Sequence, residues 1–307
     1  MTHPWANDIA PTRFVSLPDG RRLAYAEYGD PQGHPTLYFH GLPGSRLEAV
    51  LAAKSAAAAG IRLIASDRPG IGGSDPQPRR ALLTWPADVL KLADHLGLLR
   101  FSVVGVSGGA PYAAACAYAI PERLDAVAMV SGVAPLDEHE LLDEMVWFNR
   151  VAVRSAQMAP SLLRSALRPA AILKWLPRST VSLLCRALDN PDSQVMARVE
   201  VKAAIACSFA ESLRTGTRGA TEELLILANP WGFRLEDVAL NVCLWHGERD
   251  RIVPASHGRA LCRKLRRARC KFFPAEGHFS LVIDHAAEIF ATLTSVRLGA
   301  RPDRRPY

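Results

Sequence analysis

The sequence predicts an α/β fold in which a mostly parallel, doubly wound sheet carries a helical insertion. Short apolar runs rich in β-branched and aromatic residues alternate with helix-like segments between positions 13 and 131, and again from position 242. This alternation is typical of a parallel sheet with helices on both faces. With 307 residues, of which 49% are apolar, the chain is long enough for one large core and an insertion.

The elements follow in order from the amino end. Residues 13–16 and 21–28 predict an antiparallel pair joined by the turn at Asp19 and Gly20. Six more strands are expected near 36–39, 61–65, 101–105, 126–131, 242–246 and 269–273. The helices are expected near 46–59, 86–96, 109–119, 255–266 and 284–297.

The middle of the chain predicts a helical cap over the carboxyl edge of the sheet. Between Val133 and Asn241 the sequence is helix-like and is interrupted by several prolines. We expect four regions: a first core part at 1–133, the cap at 134–238, a second core part at 239–300, and a disordered tail at 301–307.

Ser107 is a candidate nucleophile because of its position between a predicted strand and a predicted helix. It is the centre of the pentapeptide Gly105-Val106-Ser107-Gly108-Gly109. A serine at such a sharp turn has a strained backbone, and glycines two residues to either side avoid clashes with the strand and the helix. The alternative is an ordinary turn serine.

A second small-residue loop, at 40–44, follows the strand predicted at 36–39. Backbone N–H groups in such a loop can face a pocket and bind the oxyanion of a tetrahedral intermediate. We assign the two donors to the N–H groups of Leu42 and Gly108. The alternative is a simple connecting loop.

Asp250 and His278 lie on the loops after the last two predicted strands. Because the carboxyl ends of parallel strands meet along one crevice, both can reach Ser107. An imidazole can take the serine proton, and a carboxylate can hold the imidazole in the correct tautomer. Asp250 could instead cap the following helix, and Asp137 is a competitor for the acid.

These motifs together resemble the α/β-hydrolase fold family of serine hydrolases, over nearly the whole chain. The matching segments, in chain order, are 40–44, 67–74, 105–109, 247–254 and 277–278. The resemblance implies an esterase- or lipase-like enzyme with Ser107 as nucleophile, His278 as base and Asp250 as acid, and with no cofactor. One departure is Gly108, where many relatives carry a bulky side chain, and its small size would widen the oxyanion side of the pocket.

The resemblance leaves several functions open. We favour hydrolysis of a carboxylic ester of a small, largely apolar substrate. Proline iminopeptidase-like and carbon–carbon bond hydrolases also use a serine here, and some relatives are small-molecule receptors. The acidic stretch 136–144 would bind a substrate ammonium in the peptidase alternative. Branches of the family that attack with a carboxylate are disfavoured, because the elbow residue is Ser107.

The pocket residues are expected in the cap, where Trp231 and Phe233 lie close to the return to the core. We expect one of them to line an apolar acyl site, although most cap aromatics should serve the cap's own core.

Composition argues against other classes of protein. The formal charge of +7 is spread over the chain, and the arginine-rich run at 259–269 has helical spacing typical of a solvated face, so no nucleic-acid partner is expected. No segment predicts a signal peptide or a membrane span, which favours a cytoplasmic protein. No metal-binding spacing of His or Cys is present. We expect no disulfides among the scattered cysteines, which are Cys116, Cys185, Cys207, Cys243, Cys262 and Cys270.

Overall fold

The computed structural model describes residues 9–136, 139–175 and 191–299, and its centre is an eight-stranded sheet. The strand order is β1-β2-β4-β3-β5-β6-β7-β8. Strand β2 is antiparallel to β1 and β4, and the remaining neighbours are parallel. The strands are β1 Arg13–Ser16, β2 Arg22–Gly29, β3 His34–Phe39, β4 Ile61–Ser66, β5 Phe101–Val106, β6 Leu124–Val130, β7 Val242–Gly247 and β8 Ala268–Phe273.

The predicted fold class is confirmed, and each predicted strand lies within two residues of an observed one. The helix predicted at 46–59 is observed as a 3-10 helix, Arg46–Ala52, followed by an α-helix, Ala53–Ala58. The helix predicted at 284–297 corresponds to Ala286–Gly299, and a short helix that was not predicted, His278–Asp284, precedes it. The α-helices of the described ranges are α1 Ala53–Ala58, α2 Trp85–His95, α3 Ala110–Ala119, α4 His139–Glu144, α5 Trp147–Met158, α6 Pro160–Leu167, α7 Asp192–Ala197, α8 Val199–Ser212, α9 Arg218–Leu227, α10 Ala255–Lys264, α11 His278–Asp284 and α12 Ala286–Gly299.

The central strands are buried on both faces, which explains their continuous apolar sequences. One face of the sheet packs against α2, α3 and α10 through residues such as Leu37, Val103 and Leu244. The opposite face packs against α1 and α12 through residues such as Ala65, Val104 and Trp245. Helices therefore cover both faces of the strands whose carboxyl ends carry the site residues.

The described residues between β6 and β7 form helices joined by short loops and include no strand, and we call helices α4 to α9 the helical insertion. It has a small core of its own in which Val153, Leu163 and Leu225 are buried. Val133 and Val253, which follow β6 and β7, belong to the same cluster. The insertion therefore packs over the carboxyl ends of the central strands, while its predicted bounds at 134–238 stay a prediction.

The prediction of no disulfides is wrong for one pair, because the Sγ atoms of Cys262 and Cys270 are bonded to each other. Cys262 is on α10 and Cys270 is on the edge strand β8, with Cα atoms 6.4 Å apart. The sequence shows two cysteines in apolar surroundings, whereas the fold leaves Cys270 exposed and turns Cys262 toward it. The cysteine argument for a reducing compartment does not hold for this pair.

We expect iodoacetamide to leave Cys262 and Cys270 unmodified in protein that is denatured without reductant. The bond consumes both thiols, whereas Cys116 and Cys243 have free thiols that unfolding would expose. Peptide mass spectrometry with and without prior reduction measures this difference. Labelling of all four without reductant would contradict the bond.

No helix in the described ranges is both long enough and apolar enough to cross a membrane.

Candidate active site

Ser107 lies at a sharp turn between β5 and α3. Its φ angle of 54° is in the left-handed region, which L-residues adopt only under strain. A Cβ atom at Gly105 would overlap the carbonyl oxygen of Gly109, and one at Gly109 would overlap the carbonyl oxygen of Phe39. The two glycines therefore allow β5 and α3 to approach closely enough to form the elbow.

We expect Gly109→Ala to destabilise the protein by about 1–3 kcal/mol, because the new methyl group would meet rigid backbone of β3. Thermal unfolding measures the effect as a lower Tm. Ser107→Ala is the matched control, since it changes the same turn without adding an atom, and its Tm should stay close to that of the original protein. An equal Tm for both variants would contradict this account of the elbow.

Asp250 and His278 are in direct contact. His278 Nδ1 is 2.7 Å from Asp250 Oδ2, and both residues are buried. The other carboxylate oxygen accepts hydrogen bonds from the N–H groups of Ile252, at 2.9 Å, and Val253, at 2.8 Å. The loop after β7 thus fixes the carboxylate, and the carboxylate fixes the imidazole with a proton on Nδ1. Nε2 is then free to accept a proton.

The electrostatic surroundings favour the protonated form of His278. Burial by itself disfavours the imidazolium, and the charge and hydrogen bond of Asp250 are the main influences that oppose it. Asp192 and Glu48 add to the effect, so the pKa of His278 is raised above its ordinary value. A base with this character accepts a proton readily and stabilises the charge that results.

Ser107 and His278 line the same cavity, which has a volume of about 290 Å³. The structure shows no hydrogen bond between Ser107 Oγ and His278 Nε2, and what it brings together is the lining of one cavity by both residues. Most of the wall is apolar, and the helical insertion contributes residues such as Val153, Phe209 and Leu227. The cavity therefore suits a largely apolar ligand with a small polar group that can contact Ser107 and His278.

Leu42 and Gly108, the predicted oxyanion donors, lie side by side on this wall. A Cβ atom built on Gly108 would be 3.4 Å from Leu42 N and 2.9 Å from Leu42 Cβ. The same atom would be 3.4 Å from Leu227 Cδ1. The space expected to widen the pocket at Gly108 is thus occupied by two leucine side chains.

Trp231 and Phe233 are not among the residues that line this cavity, so the structure does not support their predicted role. Trp231 is 5% exposed within the core cluster, and Phe233 stacks on Tyr118 with ring centroids 4.9 Å apart. Their position near the return to the core places them against α3 beneath the site. The cap aromatics that do line the cavity are Phe148 and Phe209.

Glu48 is a site residue that the sequence analysis missed. Its Oε1 accepts hydrogen bonds from Gly41 N–H, at 2.8 Å, and from Tyr38 O–H, at 2.9 Å. It is the only acidic side chain among the described residues that line the cavity. Burial raises its pKa, although these hydrogen bonds act in the opposite direction. Its position in the sequence, about one helical turn after the 40–44 loop, could have indicated that Glu48 lies at the site.

The predicted alternatives in the acidic stretch receive little support. Asp137 lies outside the described residues, and Glu140, Asp143 and Glu144 are exposed and do not line the cavity. Within the ranges that the structure describes, no group of three or more His, Cys, Asp or Glu side chains could hold a metal ion.

A doubly wound sheet with a serine elbow, and with a carboxylate-bound histidine that lines the same cavity as the serine, defines the class of α/β hydrolases. The chain belongs to the alpha/beta hydrolase fold family, whose sequence pattern matches residues 35–284.

Known relatives in this family have different activities. The chain is 34% identical over 124 residues to a non-heme chloroperoxidase of Streptomyces lividans. This match covers 40% of this chain and 45% of the relative. It is 33% identical over 112 residues to a proline iminopeptidase of Xylella fastidiosa, covering 36% of each. The matches thus span less than half the length of these curated relatives.

Solved structures resemble the whole fold. A thermophilic esterase from Thermogutta terrifontis superposes with a TM-score of 0.68 at 21% sequence identity, covering 94% of this chain and 100% of the esterase. At this identity the likeness shows the fold, and the particular reaction must be argued from the site.

Proposed function

We propose that this protein is a serine hydrolase that cleaves a carboxylic ester through an acyl-enzyme intermediate. The single observation that carries the proposal is that Ser107, on a strained elbow, shares a cavity wall with His278, which is hydrogen bonded to Asp250. A serine hydroxyl needs a base near neutral pH, and the free Nε2 of His278 can supply it.

The proposed reaction has two balanced halves. His278 Nε2 takes the Ser107 proton while Oγ attacks the ester carbonyl carbon, and the N–H groups of Leu42 and Gly108 stabilise the oxyanion. The carbon–oxygen ester bond then breaks, and the alcohol leaves with the proton from His278. Water attacks the acyl-enzyme with His278 again as base, which releases the acid and restores Ser107.

The substrate is proposed to be a small-molecule ester with an apolar body. The apolar side chains of the helical insertion, such as Phe148, Phe209 and Leu224, support this class because they line the same cavity as Ser107 and His278. A cavity of about 290 Å³ favours small and medium acyl groups over long chains.

A panel of p-nitrophenyl esters with increasing acyl length tests the proposal. We expect the highest kcat/KM for short to medium chains and an initial burst equal to the enzyme concentration. A fluorophosphonate probe should label Ser107 and abolish turnover. Absence of both labelling and ester turnover would count against a hydrolase and favour a small-molecule receptor.

A peptidase is the second candidate, and Glu48 is the observation that favours it. A carboxylate on the cavity wall could bind the ammonium group of an aminoacyl substrate, as the proline iminopeptidase activity of one relative suggests. Proline β-naphthylamide beside the ester panel separates the two candidates. Faster turnover of the amide, lost in Glu48→Gln, would favour the peptidase.

A further inference from the structure

We propose that two buried carboxylates of the helical insertion, Asp192 and Glu223, are positioning residues for the reaction. Asp192 holds the backbone that carries His278, and Glu223 acts through Arg68 on the peptide that presents the Leu42 N–H group. The inference rests on the proposed function, since it assigns a purpose to the contacts between the insertion and two loops of the site.

Asp192 binds the start of the helix that carries His278. Its Oδ2 accepts the N–H of His278 at 2.8 Å, and its Oδ1 accepts the N–H groups of Phe279 at 2.8 Å and Ser280 at 2.9 Å. Asp192 is 4% exposed and is the first residue of α7, in the insertion. The backbone of the proposed base is thus anchored to the insertion by three hydrogen bonds.

Gly277 shows how closely the helical insertion approaches the start of α11. A Cβ atom at this position would be 2.5 Å from Asp192 Oδ2. A glycine before His278 therefore leaves the space in which the carboxylate reaches the N–H groups of α11. Asp192 lies 86 residues from His278 in the chain, so only the packing of the insertion brings them together.

Glu223 connects the helical insertion to the 40–44 loop through Arg68. Glu223 and Arg68 are both fully buried, and Arg68 binds the carboxylate in bidentate fashion through Nε and Nη2. Arg80 Nη2 donates a further hydrogen bond to Glu223 at 3.0 Å. Burial opposes ionisation, but Arg68 and Arg80 prevail and lower the pKa of Glu223 to about 2. The carboxylate is therefore charged and holds Arg68 in place.

Arg68 in turn binds the backbone of the 40–44 loop, which carries the proposed oxyanion donor Leu42. Its Nη1 donates to the carbonyl oxygen of His40 at 2.6 Å, and its Nη2 to that of Gly41 at 3.1 Å. His40 Nδ1 lies 2.8 Å from the same Gly41 oxygen. Because burial, with Arg68, lowers the pKa of His40 to about 3, its ring is neutral and can donate from Nδ1.

The direction of the Leu42 N–H group follows from peptide geometry. The cis peptide bond at this loop is between Leu42 and Pro43, and the bond between Gly41 and Leu42 is trans. In a trans peptide the C=O and N–H groups point in opposite directions. With the Gly41 oxygen held on Arg68, the Leu42 N–H points away from Arg68, and its nitrogen lies close to Gly108 on the cavity wall.

The same helices also contact the ligand space. Leu224, next to Glu223 on α9, lines the cavity, and so does Met196 on α7. Through Asp192 and Glu223, the position of the insertion therefore affects the position of the base, His278, and of the oxyanion donor, Leu42. A displaced insertion would loosen both loops while leaving Ser107 on its elbow.

The first test compares Glu223→Gln with Glu222→Gln in the full-length protein on its best p-nitrophenyl ester. Glu222 is the adjacent control, because it makes a surface ion pair with Arg164. We expect Glu223→Gln to lower kcat about 10-fold or more while KM changes less than about 3-fold, since an oxyanion donor acts in the transition state. Glu222→Gln should leave both constants unchanged.

The second test compares Asp192→Asn with Asp284→Asn, whose side chain pairs with Arg198 at the surface. We expect Asp192→Asn to lower kcat about 10-fold or more at nearly constant KM, and Asp284→Asn to leave it unchanged. Affinity for a boronic acid analogue of the tetrahedral intermediate should fall in parallel with kcat in both test variants. Affinity for the product acid should change less than about 3-fold.

Active-site titration separates positioning from folding. If correctly folded Glu223→Gln and Asp192→Asn have a lower Tm but unchanged kcat per titrated site and unchanged boronic acid affinity, the inference is overturned. If the unmodified protein has no hydrolase activity, the proposed function fails, and amide exchange still tests the contacts. The Gly41 amide, which donates to Glu48, should then exchange faster in Glu223→Gln, and the His278 amide faster in Asp192→Asn, than in the two controls. Equal rates would overturn the inference.

Discussion

Replacing Ser107 by Ala is expected to lower kcat by about 10⁶-fold, the effect of removing the nucleophile from a serine hydrolase. The substitution removes one oxygen from a residue that is 8% exposed and leaves the elbow glycines in place. The ester assay measures the loss, and binding of a product acid should be preserved. Residual activity within 10-fold of the original would show that Ser107 is not the nucleophile.

The same variant also controls for contaminating esterases in the preparation. Fluorophosphonate labelling should disappear together with turnover, because both require the Ser107 oxygen. Labelling that persists in Ser107→Ala would show that another residue carries the reactivity.

Replacing Asp250 by Asn is expected to lower kcat by about 10⁴-fold. An amide at this position would present the wrong group to His278 Nδ1 and favour the wrong tautomer. Glu248→Gln is the matched control on the same loop, because Glu248 forms a surface pair with Arg259 and does not contact His278. Equal activities of the two variants would exclude Asp250 as the acid.

The pH profile of the remaining activity gives a second measurement. In the original protein the pKa of His278 is raised, so kcat/KM should increase with pH through a value above the ordinary histidine pKa. Without the charge of Asp250, burial continues to lower the pKa while the main opposing influence is lost. The acidic limb of Asp250→Asn should therefore move to lower pH, and a shift to higher pH would contradict this assignment.

Local patterns in the sequence were enough to predict most of the core. The strands were predictable because a parallel strand such as β5, buried on both faces, is mostly apolar along its length. The neighbourhood of Ser107, Asp250 and His278 was predictable because each follows a strand, and parallel strands end at one edge. In these cases the residue types of a short segment determine its secondary structure and its position in the sheet.

The predictions that differ from the structure concern contacts between separate elements of the fold. Trp231 and Phe233 had the composition expected of a pocket wall, yet on the loop after α9 Trp231 is buried in the core cluster and Phe233 packs against it. Cys262 and Cys270 looked like separate buried thiols, and the approach of α10 to β8 joined them. Neither outcome is visible in the local sequence, because each contact joins two elements that only the folded chain brings together.

The sequence by itself determined the sheet, the elbow at Ser107 and the chain order of the site residues, since strand periodicity and glycine sterics act over a few residues. Only the tertiary structure decided which side chains support the site. Asp192 and Glu223 are far in the chain from His278 and Arg68, and a buried carboxylate finds its N–H or guanidinium partners only when the insertion packs on the core.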